Sequence, residues 1–218
     1  MFTGIIEEIG TLISIKKEGT NQLFEIESSI SNQLKIDQSV AHNGVCLTVT
    51  KVDKDKSRHF VTAIEETLQK TDLGKWAVGS KLNLERCMSA NGRFDGHIVQ
   101  GHVDQTAICT KIIDENGSWR FYFEYEDKGN FTVQKGSICT NGVSLTVVDS
   151  ETGLKSDSEK NNETQKGSFS VAIIPYTYEH TNFHKLKIGD TINLEFDIVG
   201  KYMKLLFEKH MSQSEIKN

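Results

Sequence analysis

A chain of 218 residues with 37% hydrophobic and 25% charged side chains has the composition of a globular protein with a real core, and its length admits one large domain or two small ones. A formal net charge of -5, with Lys and Arg scattered rather than clustered, argues against nucleic acid or an anionic membrane as the main partner. No apolar run reaches the eighteen or so residues of a bilayer span, and the acidic start MFTGIIEEIG is unlike a secretory leader, so a cytoplasmic protein is expected, with Cys46, Cys87, Cys109 and Cys139 reduced.

In chain order, the first strand signal runs from Phe24 to Glu27. The segment HNGVCLTV from His42 follows, in which Asn-Gly marks a tight turn and Val45, Leu47 and Val49 alternate with Cys46 and Thr48 on a strand. A short helix or turn over EETLQKTDLG precedes a strand from Lys81 to Glu85. GHIVQGHVD then carries His97 and His102; on a strand that spacing sets them on opposite faces, and neither has the neighbours of a zinc site, so no metal is expected. Beyond a strand from Phe121 to Tyr125, TNGVSLTV from Thr140 repeats HNGVCLTV at six of eight positions, displaced by 98. A polar stretch from Ser150 to Ser168 reads as a mobile hairpin loop. A strand from Phe169 to Ile173 leads into IPYTYEHTNFHKLKIGDTINLE, which matches IEETLQKTDLGKWAVGSKLNLE displaced by 110. Thr67, Thr71, Lys75, Gly79, Asn83, Leu84 and Glu85 recur there as Thr177, Thr181, Lys185, Gly189, Asn193, Leu194 and Glu195, and the last strand runs from Thr191 to Phe196. The dozen residues by which the two displacements differ are accounted for by the polar stretch.

The fold expected is all-β: two tandem homologous six-stranded antiparallel Greek-key β-barrels, residues 1–97 and 98–198, followed by a C-terminal α-helix in 199–218. In that helix Val199, Tyr202, Met203, Leu206, Phe207 and His210 fall on one face. A helix so short needs a surface to dock on, either its own barrel or another subunit.

Each copy thus offers a row of thiol or hydroxyl groups just after a tight turn, Cys46 and Thr48 in one and Ser144 and Thr146 in the other. In a single copy such residues read as ordinary strand side chains; their recurrence suits a rim pocket for a polar heterocycle. His97 or His102 could act alone in proton transfer, and Glu66, Thr67 and Thr177 lie where they could reach the same pocket. The sequence has no G-x-G-x-x-G, Walker or G-x-S-x-G motif, which disfavours nicotinamide, nucleotide and esterase chemistry.

The blocks MFTGIIEEIG, SVAHNGVCLTVT, GHIVQGHVD and NGVSLTVVD, in this order, resemble the riboflavin synthase family of two lumazine-binding barrels. The resemblance implies dismutation of two 6,7-dimethyl-8-ribityllumazine molecules by transfer of a four-carbon unit, without metal or cofactor. It also implies a homotrimer bundled by the C-terminal helices, a site between the first barrel of one subunit and the second of its neighbour, and association with lumazine synthase. By the same resemblance Gly4, Ile5, Ile6, Ser39, Cys46, Leu47, Thr48, Thr62, Ala63, Ile64, Glu65, Glu66 and Thr67 line a first pocket. Gly101, His102, Val103, Lys135, Ser144, Leu145, Thr146, Ala172, Ile173, Ile174, Pro175, Tyr176 and Thr177 line a second. His102 with Ser144 and Thr146 is expected to move protons, while Cys46 or a water adds transiently to C7 of a lumazine. Asn141 stands where many family members carry Asp, and its amide cannot serve as an acid or base; Asp197 is the nearest carboxylate left. Tyr176 replaces the acid of Glu66, which implies unequal donor and acceptor pockets. The competing reading is a non-catalytic lumazine or flavin chromophore-binding protein on the same scaffold; such proteins lose the polar residues of one half, whereas both halves here keep theirs.

Overall fold

The computed structural model describes residues 1–151 and 165–215. The first barrel contains β1 (Glu8–Glu18), β2 (Asn21–Glu27), β3 (Ser39–His42), β4 (Val45–Asp53), β5 (Arg58–Ala63) and β6 (Lys81–Arg86), closed in the order β1-β2-β5-β4-β3-β6. The second contains β7 (Gln105–Asp114), β8 (Trp119–Glu126), β9 (Ser137–Thr140), β10 (Val143–Glu151), β11 (Lys166–Ile173) and β12 (Thr191–Phe196), closed in the same order. All pairs are antiparallel and every strand has two neighbours, so no sheet edge is left open. The short helices α1 (Glu65–Lys70) and α2 (Pro175–His180) each precede the last strand of their barrel, and α3 (Ile198–Glu215) ends the described chain. The expected all-β twin-barrel architecture is thus the observed one. The polar stretch expected to be a loop lies for the most part outside the described residues.

The repeat extends to irregularities. β4 is bulged between Val49 and Lys51, and β10 between Val147 and Ser150; β1 and β7 are bulged between Leu12 and Ser14 and between Cys109 and Lys111. Bulges sharpen local bend and twist, which a six-stranded sheet needs in order to close. Alternation in β4 turns Val45, Leu47 and Val49 into a core shared with Leu12, Phe24, Ile26, Leu82 and Leu84. The second core is more aromatic, built on Phe121, Phe123, Tyr125, Phe169, Phe183 and Phe196. Each of these buried side chains contributes about 1.5–3 kcal/mol relative to exposure.

The barrels meet at their Asn-Gly turns. Asn43 and Gly44 have φ of 48° and 81°, and Asn141 and Gly142 have 47° and 82°, the left-handed pair of a two-residue hairpin. Glycine is demanded twice over, because a Cβ on Gly44 would lie 2.8 Å from Gly142 N and one on Gly142 2.7 Å from Gly44 N. Around this contact the amide of Asn83 donates to Asn141 O (2.9 Å) and that of Asn193 to Asn43 O (3.0 Å), a reciprocal cross between barrels. Asn141 therefore serves as a buried structural residue, its Oδ1 accepting from Asn193 N–H. α3 is tied to the second barrel by Lys201, whose Nζ is 2.9 Å from both carboxylate oxygens of Asp104, and by Lys204 on Gly129 O.

Candidate active site

Residues 97–104 are not a strand, so His97 and His102 are not set by strand alternation; they run irregularly, with one bridge between Val99 and Phe2, both buried. From that bridge two segments diverge and cross. Gly4 O accepts from the N–H of Ser144 in the second barrel (2.8 Å), and Gly101 O accepts from that of Cys46 in the first (2.9 Å). Both glycines have positive φ, 77° and 79°, and a Cβ on either would stand 2.6 Å from the Cβ of Ser144 or Cys46. The side chains follow the backbone: Ile6 packs on the second core and Val103 on the first.

This corrects the grouping expected from the family resemblance, which set Gly4, Ile5 and Ile6 beside Cys46, and Gly101, His102 and Val103 beside Ser144. The segments are exchanged. The cause is the anchoring of each leader by the last strand of the barrel that follows it. Glu85 takes the N–H groups of Thr3 (2.7 Å) and Gly4 (3.0 Å), and Glu195 those of Gln100 (2.6 Å), Gly101 (2.8 Å) and His102 (2.9 Å). With the N–H row held on that side, the carbonyl row reaches the other barrel. Burial raises the pKa of both glutamates, and the N–H donors oppose the rise.

The first half-site, on β4, has Cys46 half-buried and Thr48 exposed beside the 101–103 segment; Ser39 pairs with Thr48 across β3. The end of β5 runs alongside, bringing Thr62 and then Ile64, Glu65, Glu66 and Thr67 of α1, where Glu66 pairs with Lys70 at 2.8 Å. The second half-site, on β10, has Ser144 half-buried and Thr146 exposed beside the 4–6 segment, flanked by Ala172 and by Ile174, Pro175, Tyr176 and Thr177 at the start of α2. There Tyr176 stacks on His180 at 4.0 Å, an aromatic pair where the first copy has an ion pair. Ile5, Ile64, Ile174 and Tyr176 are exposed. Leu47, Ala63 and Ile173 instead turn into the barrel cores, and Leu145 packs partly on the second. Lys135, exposed in a turn with φ of 67°, donates its N–H to Val147 O of β10 (2.8 Å), the residue after Thr146.

The histidine placed against Ser144 is His97 rather than the expected His102: its Nδ1 is 2.7 Å from Ser144 Oγ. Burial lowers the pKa of His97, and the negative charge of Asp197 partly offsets the effect. Its neutral ring and the hydroxyl form a pair competent to accept or pass a proton. Asp197 also accepts from Val199 N–H at the start of α3. The ring of His102 is exposed and makes no hydrogen bond among the described residues. Sequence reasoning also left Glu85 and Glu195 without a role, although their signal was present: a carboxylate kept inside the same strand of both copies. Among the described residues no group of three His, Cys, Asp or Glu is placed to hold a metal.

Two closed barrels with twin rims, each completed by a segment anchored in the other, define a duplicated small-ligand-binding protein. The profile of the lumazine binding domain matches this chain twice, over residues 3–87 and 100–197. Curated relatives named riboflavin synthase include those of Actinobacillus pleuropneumoniae (41% identical; 94% of this chain, 88% of the relative) and Bacillus subtilis (41%; 96% and 91%). That of Saccharomyces cerevisiae is 33% identical over 99% of this chain and 91% of its own. The chain belongs to the riboflavin synthase family. Its fold is also that of LumP, seen complexed with 6,7-dimethyl-8-(1'-D-ribityl) lumazine (TM-score 0.73, 20% identity, 90% of this chain and 99% of that one) and with riboflavin (0.74, 22%, 89% and 98%).

Proposed function

We propose that the chain converts two molecules of 6,7-dimethyl-8-ribityllumazine into riboflavin and 5-amino-6-(ribitylamino)uracil, one giving up a four-carbon unit and the other receiving it. The observation that carries this reading is the pair of half-sites, alike in backbone and unlike in side chains. A dismutation needs two identical ligands bound in related ways and treated differently. Cys46 and Thr48 bind one ring, Ser144 and Thr146 the other. Next to the second, His97 and Ser144 take the proton from the methyl group on C7, and the ring delocalises the resulting anion. Cys46 adds transiently to C7 of the partner ring, which then accepts the anion's attack. Holding two rings in contact replaces a bimolecular encounter with a local one, an effect of up to about 10⁵–10⁸ M in effective molarity.

The site is assembled between copies, the first barrel of one facing the second barrel of the next in a homotrimer. This is supported by α3, whose Tyr202, Met203, Leu206 and Phe207 are each more than 60% exposed on the side away from the barrel-bound Lys201 and Lys204. A cytoplasmic location, expected from the sequence, and association with lumazine synthase, implied by the family resemblance, complete this reading. No helix among the described residues is long and apolar enough to cross a membrane.

Incubating the protein with the lumazine and following flavin absorbance tests the activity. The expected result is one riboflavin for every two lumazines consumed. A shifted but constant lumazine spectrum would instead mark a binding protein and overturn the proposal.

A further inference from the structure

We propose that Glu85 and Glu195 are positioning residues wired crosswise, each setting the geometry of the half-site on the barrel to which it does not belong. Glu195 stands on β12 of the second barrel and gathers three consecutive N–H groups at 2.6–2.9 Å, which fixes Gly101 so that its carbonyl meets Cys46 N–H of the first barrel. Glu85 stands on β6 of the first barrel. It gathers Thr3 N–H (2.7 Å), Thr3 Oγ1 (3.0 Å) and Gly4 N–H (3.0 Å), so that Gly4 O meets Ser144 N–H of the second. Thr3 O in turn accepts from His97 N–H at 3.1 Å, which brings the histidine under the same control.

Both carboxylates are buried, 5% and 2% exposed, and among the described residues neither makes an ion pair, the Lys201 ammonium acting on Glu195 only through space. An unpaired buried anion is costly unless backbone donors satisfy it, so the N–H groups and the carboxylate hold one another in place. Between the anions lies a small apolar plug of Phe2, Ala41, Val99 and Cys139. Phe2 and Val99 join the two segments by a pair of backbone hydrogen bonds; beyond that bridge each segment runs from its own carboxylate to a different rim, so a change at one carboxylate is read first at that rim. The two segments leave no slack, since a Cβ at Gly4 or Gly101 would overlap the reactive residue's own Cβ. Carboxylate, leader and rim strand therefore move as a unit, and the half-site each unit builds belongs to the other barrel.

The proposal deepens the functional reading and rests on it for the importance of Cys46, Ser144 and His97, but its test needs no turnover. Glu85→Gln and Glu195→Gln are made in the full-length chain. Two local probes are read without lumazine: the alkylation rate of Cys46 by iodoacetamide, with exposed Cys87 as internal reference, and the titration of His97 by NMR. Glu195→Gln is expected to change Cys46 alkylation by about three- to tenfold while leaving the His97 titration in place. Glu85→Gln is expected to move the His97 titration and leave Cys46 unchanged. Should either Gln variant fail to fold, the Asp variant, which keeps the charge and shortens the reach, is read in the same way. Uncrossed responses, equal responses at both probes, or none at either would overturn the proposal. A wild-type protein that fails to make riboflavin yet shows the crossed response would sink the function and leave the wiring standing.

Discussion

In the proposed reaction His97 and His102 are not equivalent. The ring 2.7 Å from Ser144 is held by burial in the neutral form a base requires, whereas the ring of His102 points outward. His97→Ala is therefore expected to lower kcat by about a hundredfold with KM little changed, and His102→Ala to cost much less; steady-state kinetics on the lumazine decides this. A different pair governs acid stability. Inside the first barrel His42 Nε2 is 2.8 Å from His59 Nε2, and His59 Nδ1 is 2.7 Å from Ser31 Oγ. With Nδ1 of His42 donating to Val40 O, His59 must donate to His42 and accept from Ser31, an order that survives only while both rings are neutral. Burial lowers the pKa of His42 well below its usual value and that of His59 to about 4. The unfolded chain thus binds protons first, so stability from this pair is intact above pH 6.5 and drains away as pH falls toward 4. Protonating His59 alone costs about 3 kcal/mol over that interval. His59→Phe, which copies Phe169 at the matching place in the second barrel, is expected to flatten the difference in urea-unfolding free energy between pH 7 and pH 4.5 by about that amount.

Among elements, the least symmetrical place in the inter-barrel cross is Asp72, whose counterpart is Asn182. Asp72 is buried, accepts from Asn193 Nδ2 at 2.7 Å, and has its pKa raised to about 6, first by burial. A raised carboxyl pKa means the folded state holds the proton more tightly, so this contribution is present below pH 3.8 and lost as pH rises through 6. Asp72→Asn should therefore stabilise the chain by about 2 kcal/mol more at pH 7 than at pH 4, measured by denaturant unfolding at both values. Strands, barrel count and turns were legible in the sequence because Val45, Leu47 and Val49, and the Asn-Gly pairs, signal locally. The exchange of Gly4 and Gly101 between barrels was not, because it depends on contacts about 140 and 55 residues apart, for which no periodicity exists. Asn83 and Glu85, recurring as Asn193 and Glu195, did carry a trace of it. Polar residues retained on a barrel strand in both copies require buried partners, and the sequence alone could not say which.

For the whole molecule, the unpartnered face of α3 and the twin rims make one demand, a neighbouring copy. Tyr202, Met203, Leu206 and Phe207 are each more than 60% exposed on a helix whose opposite side is tied to Asp104 and Gly129, so the helix is held out from its own barrels with its apolar face outward. In the proposed homotrimer a closed ring of copies covers that face and sets the first rim of each chain opposite the second rim of the next. Thr48 and Thr146 are exposed on those rims, so a bulky residue at either blocks one half-site and leaves the barrel core intact. Thr48→Trp and Thr146→Trp should each form inactive trimers, since every site in them contains one blocked half. When the two chains are co-expressed with different tags and the mixed trimers isolated, a site is competent wherever a Thr146→Trp chain supplies the first barrel and a Thr48→Trp chain the second. Every mixed trimer, whichever chain is in the majority, has one competent site of its three, and about a third of wild-type riboflavin formation should return. If each site lay within a single chain, every site in the mixture would carry a blocked half and the mixture would be as inactive as its parents.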